Sequence, residues 1–195
     1  LVGSEMCIRD SVWCLGDIVG YGPDPNECIE TIRDLPDILC VRGNHDAAIL
    51  GEIDIGAFNY EARASLEWLE TILLPENWAW LSERPERLPV ENFTLVHGSP
   101  RSPVWEYVMD VSTARENLAY FDSLFCLTGH SHIPSIFSRE DLARGGTRLY
   151  LMPPDEPFEL DQKSIINPGS VGQPRDHNPL SSYLLCDDEA DLPLE

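Results

Sequence analysis

Four times along this chain a short apolar run stops at a glycine with an aspartate, asparagine or histidine close beside it. Val12-Trp13-Cys14-Leu15 runs into Gly16-Asp17, and Ile38-Leu39-Cys40-Val41-Arg42 into Gly43-Asn44-His45-Asp46. Phe93 to Val96 runs into His97-Gly98, and Leu124 to Leu127 into Gly129-His130-Ser131-His132. Apolar runs of this length suit buried strands. Strands of that kind separated by amphipathic stretches make a layered α/β domain.

The stretches between them carry helix signals. Asp24-Pro25-Asn26-Glu27 places an N-cap acid, a proline at the first helical position and an acid at the third, with Ile29 and Ile32 on the inner face. Residues 57–74 repeat apolar side chains at Phe58, Ala62, Leu66, Leu69 and Leu73, a helical spacing. Thr113 with Glu116 predicts a capped helix through about Tyr120. The later apolar runs at 135–137, 147–151, 164–166 and 182–186 predict a second sheet, with an exposed turn at Pro153-Pro154-Asp155-Glu156-Pro157.

In open α/β sheets, ligands bind beyond the carboxyl ends of strands. Four of the five histidines stand there, all but His177. Singly, each polar residue has an ordinary reading: Asp17 as a loop or capping acid, Asn44 as a turn residue, His97 as a satisfied loop histidine. Their conjunction points to one metal-binding cluster. Mixed imidazole, carboxylate and amide donors suit manganese, iron, zinc or nickel better than calcium or magnesium. A carboxylate such as Asp17 can bridge two such ions, the arrangement used for in-line attack at phosphorus.

Charge narrows the partners. Thirteen Lys and Arg against 34 Asp and Glu give a net charge of −21, which repels nucleic-acid backbones and excludes non-specific binding to them. Only Lys163 is a lysine, so the basic residues are overwhelmingly the arginines suited to bidentate phosphate contacts. At 195 residues with 43% hydrophobic content, the chain predicts about one domain with a real core, and no run is long enough to span a bilayer. Six cysteines form no C-x-x-C pair, and Cys14, Cys40, Cys126 and Cys186 lie in apolar runs, the pattern of reduced core thiols in a cytoplasmic protein.

The blocks Gly16-Asp17-Ile18-Val19-Gly20-Tyr21-Gly22, Gly43-Asn44-His45-Asp46, Val96-His97-Gly98-Ser99 and Gly129-His130-Ser131-His132, in this order, resemble the calcineurin-like metallophosphoesterases, particularly their small bacterial branch. The closing Asn167-Pro168-Gly169-Ser170-Val171-Gly172 resembles that branch too. The resemblance implies a four-layer α/β fold over residues 12–186, two facing mixed β-sheets flanked by helices. It implies two divalent transition-metal ions, manganese first among the candidates, with Asp17 bridging them, Asn44, His97 and His130 on the second metal and His132 on the first. His45 becomes the residue that contacts the scissile phosphate and protonates the leaving oxygen. Asp46 is expected to orient its ring or, alternatively, to cap the following helix. The implied reaction is hydrolysis of a small phosphoester or nucleotide.

Two departures modify this expectation. The family opens with a strand ending in Asp-x-His, which completes the first metal, and no Asp-x-His occurs in this chain. Residues 1–11, LVGSEMCIRDS, read instead like translated adapter sequence fused to a shortened frame, and residues 187–195 form an acidic tail. On that reading the chain is expected to hold one metal rather than two, with impaired activity. The alternatives are an inactive scaffold of the same fold or a mononuclear metal-binding protein. Secondly, Gly20-Tyr21-Gly22 stands where the protein phosphatases carry Asp-Arg-Gly. Arg101 and Arg175 are then the candidates to reach substrate phosphate.

Overall fold

The computed structural model describes residues 11–139 and 161–186. Two sheets are built, from the expected strands and one further strand, Arg87–Val90. The first pairs β1 (Trp13–Cys14) with β2 (Leu39–Cys40) in parallel. The second has five strands: β3 (Arg87–Val90), β4 (Phe93–Val96), β5 (Phe125–Leu127), β6 (Ser135–Ser138) and β7 (Ser164–Asn167), in the order β3-β4-β5-β7-β6. Its centre is parallel, β4 to β5 to β7, and each edge strand is antiparallel to its neighbour. The second sheet is thus mixed, whereas the first is purely parallel among the described residues.

Strand periodicity decides what each sheet face meets. Phe93 and Leu95, Phe125 and Leu127, Ile136 and Ile166 join Trp13, Leu15, Leu39 and Val41 in an apolar cluster between the sheets. Their alternates Val96, Cys126, Phe137 and Ile165 turn the other way onto Val108, Ala114 and Phe121. Ala114 belongs to α5 (Val111–Asn117), which covers that face. The remaining helices, α1 (Pro25–Arg33), α2 (Asn44–Ile49), α3 (Tyr60–Ile72) and α4 (Pro75–Ser82), contribute to a third cluster around Ile29, Ile49, Leu66, Leu69 and Leu81. The predicted α/β fold, facing sheets flanked by helices, is the one observed.

Several local expectations change. Asp24 holds the cap position of α1 but makes no side-chain cap bond. The α5 cap is Asp110, whose carboxylate accepts from Ser112 N and Thr113 N, so the helix starts before Thr113. Helix α4 and strand β3 have no counterpart in the periodicity reading. Asn26 secures α4, accepting from Leu74 N and Asn77 Nδ2 at 2.9 Å each. Residues 182–186 form no strand, and Cys186 is exposed. The predicted run at 147–151, the turn at 153–157, the acidic tail at 187–195 and nearly all of the segment at 1–11 lie outside the described residues. No helix among the described residues is long and apolar enough to cross a membrane.

Candidate metal centre

Because β1 and β2 are parallel, their carboxyl-end loops emerge side by side. Gly16, at φ +87°, lets them touch: a Cβ there would lie 2.5 Å from Gly43 N. Asp17 follows in the left-handed region at φ +55°. That strained loop is held by Asp46, the third residue of α2. Its Oδ2 accepts from Asp17 N at 2.8 Å and Gly43 N at 2.9 Å, and its Oδ1 from Ile18 N at 3.1 Å and Val19 N at 3.4 Å. Asp17 in turn accepts from His45 N through Oδ1 at 3.0 Å, while Oδ2, with the Tyr21 hydroxyl a long 3.5 Å away, turns to the centre.

Opposite stand His97, directly after β4, and His130, just beyond β5. His97 Nδ1 lies 2.7 Å from Leu15 O, and His130 Nε2 lies 3.0 Å from Trp105 O. A carbonyl only accepts, so those ring nitrogens carry the protons and His97 Nε2 and His130 Nδ1 carry lone pairs. These two bare nitrogens are 3.1 Å apart. Asn44 Oδ1 lies 3.0 Å and Asp17 Oδ2 3.4 Å from His97 Nε2. Four lone-pair atoms therefore converge on one point. Bonds of ~2.1 Å to a tetrahedral ion put neighbouring ligand atoms ~3.4 Å apart, so the donor set fits a transition-metal ion in both chemistry and spacing. Asp17, His97 and His130 form the one three-residue group of titratable ligands among the described residues.

The electrostatics follow from burial and from Asp17. Burial opposes ionisation of Asp17, but the facing His97 outweighs it and holds the carboxyl well below its usual range. Burial likewise works against a charged His97, and the Asp17 carboxylate overcomes it, raising the ring's affinity for a proton. His130 is pushed down to about 3 by burial and by the neighbouring His97. Burial also lowers His45 and, together with Arg175, His132.

The other expected residues divide. His132 Nδ1 donates to Gln173 O at 2.6 Å, and the residue stands outside the three-ligand group. His45 lies between Tyr21 and Phe58, with ring centroids 4.4 and 5.0 Å away, and its buried Nδ1 has no hydrogen-bond partner. Asp46 does not orient that ring, because its oxygens are occupied by backbone amides; the N-cap residue of α2 is Gly43, and Asp46 caps the helix from its third position by accepting from Gly43 N in a capping box. Arg101 is committed to Glu106 and Glu116 in ion pairs, leaving no free fork for a phosphate. Among the described residues Arg175 meets only the neutral Gln173 Oε1 through its guanidinium, and its charge is felt at His45, His132 and Tyr21.

Sequence reasoning gave no role to several positioning groups. Asn167, at the end of β7 and 2% exposed, donates to Ser131 Oγ at 2.9 Å and to Gly129 O, so it fixes the loop that carries His130 and His132. Its place in the Asn-Pro-Gly block was the available signal. The carbonyls of Leu15, Trp105 and Gln173 set the three histidine tautomers, and no side-chain pattern announces a backbone oxygen.

Comparison with known proteins agrees with this geometry. A family model for the calcineurin-like phosphoesterase superfamily domain matches residues 3–191. An uncharacterised protein of Methanocaldococcus jannaschii is 40% identical over 190 residues, 94% of this chain and 73% of that protein. A symmetrical bis(5'-nucleosyl)-tetraphosphatase of Thioalkalivibrio sulfidiphilus is 33% identical over 112 residues, but the match spans only 55% of this chain and 40% of that enzyme. The crystal structure of a metallophosphoesterase from Sphaerobacter thermophilus superposes with a TM-score of 0.78 at 40% identity, over 89% of this chain and 71% of that one. With a match running from residue 3 to residue 191, the chain belongs to the calcineurin-like phosphoesterase superfamily and is a metallophosphoesterase, a hydrolase of phosphoester bonds.

Proposed function

We propose that the centre hydrolyses small phosphoesters, nucleotides among them, with manganese as its working metal. The observation that carries this reading is the convergence of Asp17 Oδ2, Asn44 Oδ1, His97 Nε2 and His130 Nδ1, four atoms that can each offer a lone pair to an ion that displaces any proton held at His97 Nε2. When bound there, a divalent ion supplies charge neutralisation at the phosphoryl oxygens and acidifies water. His132, its Nε2 left bare by the bond to Gln173 O, belongs to an adjoining first-metal position. The tetraphosphatase relatives, by their names, act on nucleosyl substrates, which supports a nucleotide as one class of ester.

His45 is the proton donor to the leaving oxygen. An orphaned buried N–H costs more than a buried lone pair, so the proton sits on Nε2 and Nδ1 stays bare against Gly20. Burial keeps the ring neutral at rest, and an incoming phosphate dianion favours the protonated form required of a general acid. Arg175 is the side chain that steers the anion inward through a protein carrying −21 overall. The free cysteines among the described residues suit a cytoplasmic location.

The test is manganese-dependent hydrolysis of bis-p-nitrophenyl phosphate with metal analysis of the same samples. One tightly held ion per chain is expected from the single three-ligand group, and His97→Ala should lose both ion and rate. Full turnover by His97→Ala, or wild-type turnover with no bound metal, overturns the reading.

A further inference from the structure

The rings around the metal cluster form a continuous chain. Tyr21 lies 4.4 Å from His45, His45 5.0 Å from Phe58, and Phe58 5.2 Å from Trp105. Trp105 lies 6.2 Å from His130, on which Tyr107 stacks at 3.7 Å with an 18° interplanar angle. The buried members are His45, Phe58 and His130. The other three are half-open, Tyr21 at 37%, Trp105 at 39% and Tyr107 at 43% exposed. Residues 104–109 run with Val104 and Val108 buried and Trp105, Tyr107 and Met109 outward, a period-two presentation of apolar side chains beside the centre. The loop is rigidly held: Ser99 Oγ and Asn117 Nδ2 both donate to Glu106 Oε2, at 2.6 and 2.8 Å.

We propose that Trp105 and Tyr107 form a stacking platform for the nucleobase of a nucleotide whose phosphate sits on the metal cluster. The inference rests on the phosphoester reading above and adds the subsite that selects the ester. Its occupant follows from charge and continuity. The chain as a whole repels anions, so affinity for a nucleotide beyond what the metal and Arg175 give its phosphate is best supplied by neutral surface. Aromatic faces supply it, because every base has a π-face and stacking needs no charge. One face of Tyr107 is already occupied by His130, a metal ligand, so a base on the opposite face is held next to the cluster that receives the phosphate. An aliphatic phosphoester gains nothing from these rings.

The experiment compares adenosine 5'-monophosphate with ribose 5-phosphate, which carries the same phosphate but no base. Both are titrated calorimetrically into the manganese-supplemented full chain, with inorganic phosphate as competitor. The expected result is that the nucleotide binds about tenfold tighter or more, in the range base stacking supplies, and is displaced by inorganic phosphate. Tyr107→Phe keeps the preference, whereas Tyr107→Leu and Trp105→Leu each reduce it severalfold, with metal content measured in every variant. Equal affinity for the two ligands, an unchanged ratio in both leucine variants, or no binding of either ligand overturns the platform. A dimer that Tyr107→Leu dissociates, together with equal affinities, reassigns the face to contact between copies. Because the platform is read from the ratio of two affinities at one centre, hydrolysis of bis-p-nitrophenyl phosphate still reports separately on the metal centre.

Discussion

Replacing Asp46 with alanine separates two roles that the sequence left open. The structure gives its carboxylate three well-made amide bonds, at 2.8, 2.9 and 3.1 Å, and a fourth at 3.4 Å. Orphaning three amides costs ~1–3 kcal/mol each, or ~3–9 kcal/mol together. Relief of the buried charge works the other way. Burial and the nearby Asp17 charge push Asp46 up to about 6 from 3.8, and two pKa units correspond to ~3 kcal/mol. The net expectation is a loss of up to ~6 kcal/mol, with ~3 kcal/mol at the middle of that range, a large share of the ~5–15 kcal/mol typical of a whole domain. For a chain of this length a loss of ~3 kcal/mol lowers the melting temperature by ~6–12 °C. The Asp17 loop, at φ +55°, also loses its clamp, so metal affinity falls in step with stability. Thermal melts and manganese titration of wild type and Asp46→Ala are the assay. Unchanged melting and unchanged metal affinity with turnover reduced ~10²-fold would refute this reasoning and restore Asp46 to a role through the His45 ring.

Two further outcomes follow from the same geometry. A Cβ on Gly20, which sits at φ +107°, would lie 2.3 Å from His45 Nδ1, so Gly20→Ala displaces that ring. It should approach the ~10²-fold rate loss of His45→Ala while both variants keep their metal, and wild-type turnover by Gly20→Ala would count against the general acid. Arg101 hydrogen bonding pulls Glu106 down to about 2 from 4.5, so this group's stabilisation is complete above pH 4.5 and is lost as pH falls through 2. The melting-temperature gap between wild type and Glu106→Gln should therefore be full at pH 6 and close on acidification, whereas a gap independent of pH contradicts the network.

The parts of the site that the sequence made legible are those written in local pattern. Apolar runs ending at glycine located β1, β2, β4 and β5, and the polar residues beyond those runs, Asp17, Asn44, His97 and His130, are the ones the structure brings together. Side chains whose partners lie far along the chain were not legible this way. Arg101 read as a phosphate ligand because nothing local shows that Glu116 returns to it, 15 residues later, through the turn and α5. Asp46 read as a partner of its neighbour His45, yet its bonds reach back 27 to 29 residues to the backbone of the β1 loop. Residues 182–186 make an apolar run like a strand but find no ladder among the described residues, so tertiary context overrides their propensity. Strand β3 carries Pro89, which an edge strand tolerates, and its short run has no clear strand pattern to read.

The His97 ring joins one sheet to the other, since its Nδ1 binds the carbonyl of Leu15 beyond β1 while its backbone continues β4. The ligands divide the same way: Asp17 and Asn44 come from the first sheet, His97 and His130 from the second. An ion seated among them acts as a rivet across a seam that is otherwise closed by apolar side chains. Amide hydrogen exchange should register this directly. With the metal chelated, the β1–β2 pair opens as a foldon of its own. With metal bound, opening one sheet requires expelling the ion, and the exchange rates of the two sheets merge into a single cooperative event.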